Sequence, residues 1–169
     1  MAGVTVDGAK LGIPTAYKPF DIVTLSMYPT IAANDRVLAN LIAYRRGRTP
    51  QRGDIIMFTP TPSAESVCPT AGRPLIKRVV GIPGDTVQTR SDHRTYVNGT
   101  PDSTPGPSES DYTKQWPRVP AGQLLVLGDN RAASCDSHQW PDPFVPFASV
   151  IGRVEAIYAP PEDATLLVK

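Results

Sequence analysis

The stretch PLIKRVVGI, Pro74 to Ile82, has the composition of a buried strand but contains two adjacent cations. A strand alternates its side chains between two faces, which places Lys77 on one face and Arg78 on the other. Unless the strand lies at a sheet edge, one of these cations must therefore point inward. A lysine on an edge strand would serve to block aggregation. A lysine desolvated by apolar neighbours would instead have a lowered pKa and could act as a base.

Similar short apolar stretches, separated by turn signals, occur along the rest of the chain. Nineteen prolines and 13 glycines among 169 residues disfavour long helices and suit short strands. The sequence therefore predicts an all-β core. Predicted strands lie in Gly53 to Pro60, Gly84 to Thr89, Gln123 to Asp129 and Ser149 to Ala159, with an Asn-Gly hairpin turn in Thr95 to Thr100; Asp35 to Tyr44 fits either a strand or a short helix.

The composition changes along the chain and predicts three parts. Residues 1–23 form an N-terminal extended arm, and residues 24–89 and 121–169 form the β-core that would carry a site. Residues 90–120, rich in Pro, Ser, Asp and Gly, form a small insertion or exposed loop region. The apolar stretch from Trp140 to Phe147 is expected to pack on the core, with contact to lipid as the alternative.

Composition and charge exclude some classes of protein. A net charge of +1 gives no support for nucleic-acid binding, which needs a clustered basic face. No run approaches 18 apolar residues, so no transmembrane helix is predicted, and the first twenty residues lack the features of a signal peptide. The two cysteines, Cys68 and Cys135, fit either one disulfide or two unpaired thiols.

The stretch TLSMYPT, Thr24 to Thr30, places one hydroxyl, Ser26, between two large apolar side chains. A serine hydroxyl is a poor nucleophile until a neighbouring base removes its proton. A neutral Lys77 could be that base, since serine–lysine pairs are a known variant of the serine–histidine arrangement. Ser26 and Lys77 are therefore a candidate catalytic pair.

The stretch GDNRAASCDSH, Gly128 to His138, concentrates polar side chains just after an apolar strand. It fits a turn rich in local hydrogen bonds, or a set of hydroxyls and carboxylates that holds a base in place. His138 also offers a Ser26–His138–Asp triad as a competing site. A metal site built from Cys135, Asp136 and His138 is less favoured still, because no second ligand pair with regular spacing accompanies them.

Taken together, these stretches resemble the motifs of type I signal peptidases, membrane-bound serine–lysine proteases that cut signal peptides from exported proteins. Six motifs occur in the family's order between Thr24 and Gly152: SMYPT, NDRVLAN, RGDIIMF, KRVVGIPGD, YVNG and GDNRAASCDS. The resemblance implies a signal-peptidase-like fold of coiled antiparallel sheets and a serine endopeptidase without metal or organic cofactor. It also implies a preprotein signal peptide as substrate, contact with a membrane surface, and a location at the outer face of the cytoplasmic membrane or its thylakoid or inner-membrane equivalent.

The resemblance assigns roles position by position. Ser26 matches the nucleophile and Lys77 the general base, while Ser134 matches the serine whose hydroxyl orients the lysine amine. Thr24 matches the hydroxyl that forms the oxyanion hole together with the backbone N–H of Ser26. Four charged residues match structural positions around the site: Arg78, Asp129, Arg131 and Asp136.

Met27 and Leu25, the neighbours of Ser26, are assigned to substrate binding. In the family the methionine packs beside the site, close to the surface that faces lipid. Leu25 stands where the family usually has glycine, so its side chain is expected to tilt the loop or narrow the S1 pocket.

Three further departures from the family pattern have consequences. DNRAAS replaces the commoner DNRDNS, which removes two polar groups. His138 stands where an arginine often partners the residue equivalent to Asp136, so that ion pair would become pH-dependent. The family's N-terminal membrane anchor is missing from this sequence, which is expected for a trimmed catalytic domain or a natural soluble relative.

Other functions remain open from the sequence. Self-cleaving repressors share a serine–lysine dyad and a related β-fold, but they lack the GDNR segment and usually carry a DNA-binding half. A conjugation-type processing peptidase would use the same dyad on a special substrate. A catalytically inactive peptide-binding domain is the alternative from a different class, because a fold can outlast its function.

Overall fold

The computed structural model describes residues 15–68, 70–104 and 106–168, and nearly all regular structure in them is β. The helical elements described are α1, Pro62–Val67, and two single 3₁₀ turns, Phe147–Ser149 and Pro161–Asp163. The strands are β1 Tyr17–Asp21, β2 Arg36–Asn40, β3 Ile55–Phe58, β4 Leu75–Gly81, β5 Val87–Thr89, β6 Thr95–Val97, β7 Thr100–Pro101, β8 Lys114–Gln115, β9 Gln123–Leu127, β10 Phe144–Pro146, β11 Val150–Ala159 and β12 Thr165–Leu166. The prediction of an all-β fold is confirmed.

The main sheet is antiparallel and has the order β1-β2-β11-β3-β4-β9-β10, with β12 paired to β11. Strand β4 lies in its interior, bonded to β3 on one side and to β9 on the other. The edge-strand explanation of Lys77 is therefore wrong. Lys77 and Arg78 are both buried, at 2% and 6% exposure, because the sheet is covered on both faces around β4.

A second, four-stranded sheet has the order β7-β6-β5-β8. Asn98 and Gly99 connect β6 to β7 with positive φ at both positions, 52° and 82°, as the predicted two-residue hairpin turn requires. Trp116 and Val119 are buried against β9 and β5 residues, so the stretch from 100 to 120 is not uniformly exposed as expected. The division into arm, core and insertion stays a prediction.

The core is built from both faces of the main sheet. Trp140 and Val145 are buried beside Phe58, so the stretch from Trp140 to Phe147 packs on the core as expected. A disulfide between Cys68 and Cys135, with 6.1 Å between the Cα atoms, joins the end of α1 to the loop after β9. The pairing left open by the sequence is thereby resolved.

Most of the predicted N-terminal arm lies outside the described residues. Its described end is strand β1, which pairs with β2 along its whole length. No helix in the described parts of the chain is long and apolar enough to cross a membrane.

Candidate active site

Ser26 lies in a tight turn between β1 and β2, and its side chain is 7% exposed. The turn is closed by hydrogen bonds from Tyr28 N–H to the Leu25 carbonyl, 3.1 Å, and from Ile31 N–H to the Met27 carbonyl, 2.9 Å. Met27 and Ile31 are fully buried in the core. These apolar residues anchor the turn, which explains why the serine stands in an apolar sequence.

Lys77 reaches Ser26 from the middle of β4. Its Nζ donates to Ser26 Oγ at 3.0 Å and to the Ile76 carbonyl at 2.9 Å. Burial lowers the pKa of Lys77 from 10.5 to about 8, and the negative charges of Asp136 and Asp129 oppose this effect only in part. The amine is therefore in contact with the hydroxyl and can be neutral at mildly alkaline pH, as a general base must be.

Thr24 and Ser134 supply two further hydroxyls. Thr24 Oγ1 lies 3.3 Å from Ser26 Oγ, at the mouth of the site. Ser134 Oγ is buried and has no hydrogen-bond partner, so the expected bond from Lys77 to Ser134 is not formed in this structure. A lysine amine has three donors and two are used by Lys77, so one donor remains. Ser134 and the Ser26 carbonyl lie so close to Gly128 that a Cβ atom at this position would overlap both of them.

A buried ion pair fixes the loop after β9 to β4. Arg78 donates from Nε to Asp129 Oδ1 at 2.8 Å and from Nη2 to Asp129 Oδ2 at 2.6 Å, and its third nitrogen donates to the Gly53 carbonyl. Thr30 donates its hydroxyl to the same carboxylate. This bidentate geometry is the strong form of an arginine–carboxylate contact, so it holds the loop firmly beside Ser26 and Lys77.

Asp136 and Arg131 brace the same loop from within. Asp136 accepts hydrogen bonds from the backbone N–H groups of Gly128, 2.7 Å, and His138, 3.0 Å. Arg131 donates to the Gly128 carbonyl at 3.0 Å and to the hydroxyl of Thr95 in the second sheet. All these charged residues lie around the site, where the sequence placed them.

His138 contacts Asp136 in the same loop and does not contact Ser26. Its Nδ1 lies 2.9 Å from Asp136 Oδ1, and its ring stacks on Tyr112 at 4.3 Å between centroids. The side chain that contacts Ser26 Oγ from β4 is Lys77 and not His138, so the triad alternative is wrong. The metal alternative also fails, because Cys135 is bonded to Cys68 and is not a free thiolate.

An apolar cavity of about 510 Å³ opens beside Ser26 and Lys77. Met57 lines it together with two apolar walls, one from the chain before Ser26 (Phe20, Val23, Leu25) and one from the chain before Lys77 (Cys68, Pro74, Leu75). Leu25 is 56% exposed and lines this cavity, as its assignment to substrate binding requires. Met27 has no exposed surface and does not line the cavity, so its assignment to substrate binding needs correcting: it anchors the turn.

The comparisons with known proteins agree with this geometry. Residues 9–159 match the family described as signal peptidase, peptidase S26. The chain belongs to this family. Within it, the chain is 43% identical over 138 residues to signal peptidase I of Leptolyngbya laminosa, covering 80% of this chain and 65% of that protein. It is 39% identical over 149 residues to probable signal peptidase I-2 of Synechocystis, covering 86% of this chain and 65% of that protein.

Two other proteins extend the comparison. Over 152 residues the chain is 34% identical to probable thylakoidal processing peptidase 2 of Arabidopsis thaliana, covering 89% of this chain and 40% of that protein. The crystal structure of a signal peptidase I from Enterococcus faecalis V583 superposes with a TM-score of 0.50 at 33% identity, over 62% of this chain and 96% of that chain. The chain thus spans under two thirds of the length of the first two relatives, and the resemblance seen in its motifs is confirmed.

Sequence reasoning missed some residues of the S26 site. Asn130 donates its side-chain amide to the Leu25 carbonyl, and Thr30 binds the Asp129 carboxylate. Both lie inside the motifs already identified, but nothing in a motif shows which backbone group a side chain will contact. The cavity wall that contains Cys68 was also missed, because it comes from a stretch with no motif.

Proposed function

We propose that this chain is a serine endopeptidase that cleaves signal peptides from exported preproteins, with Ser26 as nucleophile and Lys77 as general base. The observation that carries the proposal is the 3.0 Å contact between Lys77 Nζ and Ser26 Oγ, made by a lysine that burial keeps easily deprotonated. Membership of the signal peptidase family gives independent support.

The chemistry follows from this pair. Neutral Lys77 accepts the proton of Ser26 Oγ as the oxygen attacks the scissile carbonyl carbon. The resulting oxyanion can accept hydrogen bonds from Ser26 N–H and from the hydroxyl of Thr24. Lys77 then gives its proton to the leaving amine, which leaves an acyl-enzyme. Water attacks the ester with Lys77 again as base, which releases the acid and restores Ser26.

Ser134 is assigned a supporting role in this mechanism. Its buried hydroxyl lacks a partner beside the amine of Lys77. In the neutral amine, one N–H would donate to the Ile76 carbonyl and, after a small rotation, the other would donate to Ser134 Oγ, which leaves the lone pair to accept the Ser26 hydroxyl proton. The unpaired hydroxyl is the observation that supports this role, because buried polar groups normally find a partner.

The cavity favours an extended apolar peptide as substrate. Strand β1 ends the main sheet within the described chain, and Phe20 and Asp21 at its end line the cavity, so an extended segment could add along this edge. Signal peptides supply such a segment.

A membrane surface is the proposed setting. Val23, Leu25 and Tyr28 are large, apolar and more than half exposed, and all three lie within three residues of Ser26. An exposed apolar group at the mouth of a site suits contact with lipid. We place the chain at the outer face of the cytoplasmic membrane or its thylakoid equivalent, in keeping with the relatives named as thylakoidal peptidases.

The test is cleavage of a preprotein with a signal peptide, in the presence of phospholipid vesicles, between pH 6 and pH 10. Ser26→Ala and Lys77→Met should be inactive, whereas the exposed-site controls Ser66→Ala and Lys18→Met should match the unsubstituted chain. Because only the neutral amine is a base, kcat/KM should rise with pH and level off above about pH 8. Activity that survives Lys77→Met would refute the dyad. Tight binding of the signal peptide without cleavage by the unsubstituted chain would favour a peptide-binding domain.

A further inference from the structure

The turn after β9 holds the nucleophile turn by two hydrogen bonds from one residue. The backbone N–H of Asn130 donates to the Ser26 carbonyl at 3.1 Å. Its side-chain Nδ2 donates to the Leu25 carbonyl, also at 3.1 Å. Asn130 therefore hydrogen-bonds to two successive peptide groups, one on each side of Ser26.

The Leu25 carbonyl accepts hydrogen bonds from the Asn130 side chain and from the Tyr28 N–H, and together they fix the direction of the Ser26 N–H. The Leu25 carbonyl and the Ser26 N–H belong to one peptide group, which is planar and trans, so they point to opposite sides. With Asn130 on the carbonyl side, the N–H must point away from the turn after β9. Within the described chain this N–H donates to no acceptor. An unpaired donor beside the nucleophile is what an oxyanion hole requires.

Asn130 is itself held rigidly from the second-sheet side. Ser108 donates its backbone N–H to the Asp129 carbonyl at 2.8 Å, and its hydroxyl accepts from Arg131 N–H at 3.0 Å. The Asp129 side chain is fixed by its ion pair with Arg78. The residues before and after Asn130 are thus both anchored, so its amide is presented to Leu25 in one place.

We infer that Asn130 is a positioning residue of the catalytic site: its side-chain amide orients the Leu25–Ser26 peptide so that the Ser26 N–H faces the developing oxyanion. The inference rests on the proposed function. It adds a residue with no direct contact to the substrate, and it gives Ser108, in the connection between β7 and β8, a part in catalysis.

A residue with this role has a kinetic signature that a merely structural residue lacks. Misalignment of one oxyanion donor lowers the rate of the chemical step and leaves ground-state peptide binding nearly unchanged. It also leaves the pH dependence in place, because Lys77 is not touched. General damage to the loop would instead change kcat, KM and the pH midpoint together.

The test uses Asn130→Ala and Asn130→Leu, of which the second keeps the side-chain volume. Both remove the amide, keep the backbone hydrogen bond to Ser26 and add no charge. Ala132→Ser, an exposed position in the same loop, is the matched control. For cleavage of a signal-peptide substrate we expect kcat to fall about 10- to 100-fold in both variants, with KM within about twofold and the same pH midpoint.

A peptide aldehyde gives a second readout. Ser26 Oγ adds to its carbonyl carbon and the hydroxyl proton passes to Lys77, so the former carbonyl oxygen occupies the oxyanion position. Both Asn130 variants should lose about tenfold or more in affinity for the aldehyde and little for the matching peptide alcohol, which forms no adduct. Equal losses for both ligands, or an unchanged kcat in the Leu variant, would overturn the inference.

These outcomes separate the inference from the proposed function. If the unsubstituted chain cleaves the substrate and Ser26→Ala does not, the proposed function stands whatever Asn130 does. If the unsubstituted chain does not cleave and binds aldehyde and alcohol equally, the proposed function fails, and the inference fails with it.

Discussion

Replacing Lys77 by methionine is expected to stabilise the fold while removing its activity. Methionine has nearly the same length and is apolar, so it fills the same space without a charge. Lys77 is 2% exposed, and burial lowers its pKa from 10.5 to about 8. Relative to an unfolded lysine, its protonated form is therefore disfavoured by about 3 kcal/mol, since one pKa unit corresponds to about 1.4 kcal/mol.

The stability difference between Lys77→Met and the unsubstituted chain becomes smaller as the pH rises. Between about pH 8 and 10.5 the unfolded chain binds the lysine proton and the folded chain does not, so the stability of the unsubstituted protein rises with pH in this window. The burial of Lys77 therefore lowers the free energy of unfolding by the full amount, about 3 kcal/mol, below pH 8, and by only about 1 kcal/mol near pH 10. The Lys77→Met variant lacks this dependence altogether.

The hydrogen bonds that Lys77→Met removes offset part of this gain in stability. Lys77 donates to Ser26 Oγ and to the Ile76 carbonyl, and each such bond contributes about 1 kcal/mol. We therefore expect Lys77→Met to be more stable than the unsubstituted chain by about 1–2 kcal/mol at pH 7, and equal to it or slightly less stable at pH 10.

The stability difference at pH 7 and at pH 10 can be measured by urea unfolding under non-reducing conditions. The fluorescence of the two buried tryptophans follows the transition. Lys18→Met, at an exposed position, is the control and should change little at either pH. A stability difference that stays the same from pH 7 to pH 10 would refute the argument, because it would mean that Lys77 has an ordinary pKa in the folded state.

Two other substitutions test the loop after β9. Removing the disulfide with Cys68→Ala and Cys135→Ala should lower the free energy of unfolding by about 4 kcal/mol, because the bond closes a loop with a sequence separation of 67. A melting temperature that does not fall, or that still responds to reductant in the double variant, would contradict this. Gly128→Ala should reduce kcat at least 100-fold, because the added methyl group would overlap the Ser26 carbonyl and the Ser134 side chain. Near-normal kcat in a folded Gly128→Ala protein would show that the loop can shift without harm.

Features that depend on local pattern could be predicted from the sequence. Strand β4 follows from an apolar stretch bounded by turn residues, and the Asn98–Gly99 turn follows from residues that tolerate positive φ. The catalytic pair was a hypothesis from burial chemistry, and six ordered motifs made it specific. The structure adds the contact between the two side chains, which lie 51 residues apart in sequence.

Features that depend on three-dimensional packing could not be predicted in this way. Met27 looks like a surface residue beside a site, but the tight turn directs it into the core. Ser134 lies where the motif predicts, yet its hydroxyl is left without a partner, because hydrogen-bond direction depends on rotations of a few tens of degrees. Trp116 lies in a polar stretch and is buried only because the second sheet closes over it.

The two cations of strand β4 show how the fold treats a permanently charged side chain differently from one that can lose its proton. Arginine does not lose its proton in proteins, so a buried Arg78 must be neutralised, and Asp129 does this with two hydrogen bonds. Lysine can lose its proton, and Lys77 makes no ion pair within the described chain; it contacts only a hydroxyl and a carbonyl. The absence of a carboxylate partner makes burial lower its pKa, and a partner like that of Arg78 would keep the amine charged and unable to act as a base. Exchanging the two residues would therefore leave an unpaired arginine beside Ser26 and no base, so under the proposed function their order in KRVVG is required by the chemistry and not by the strand.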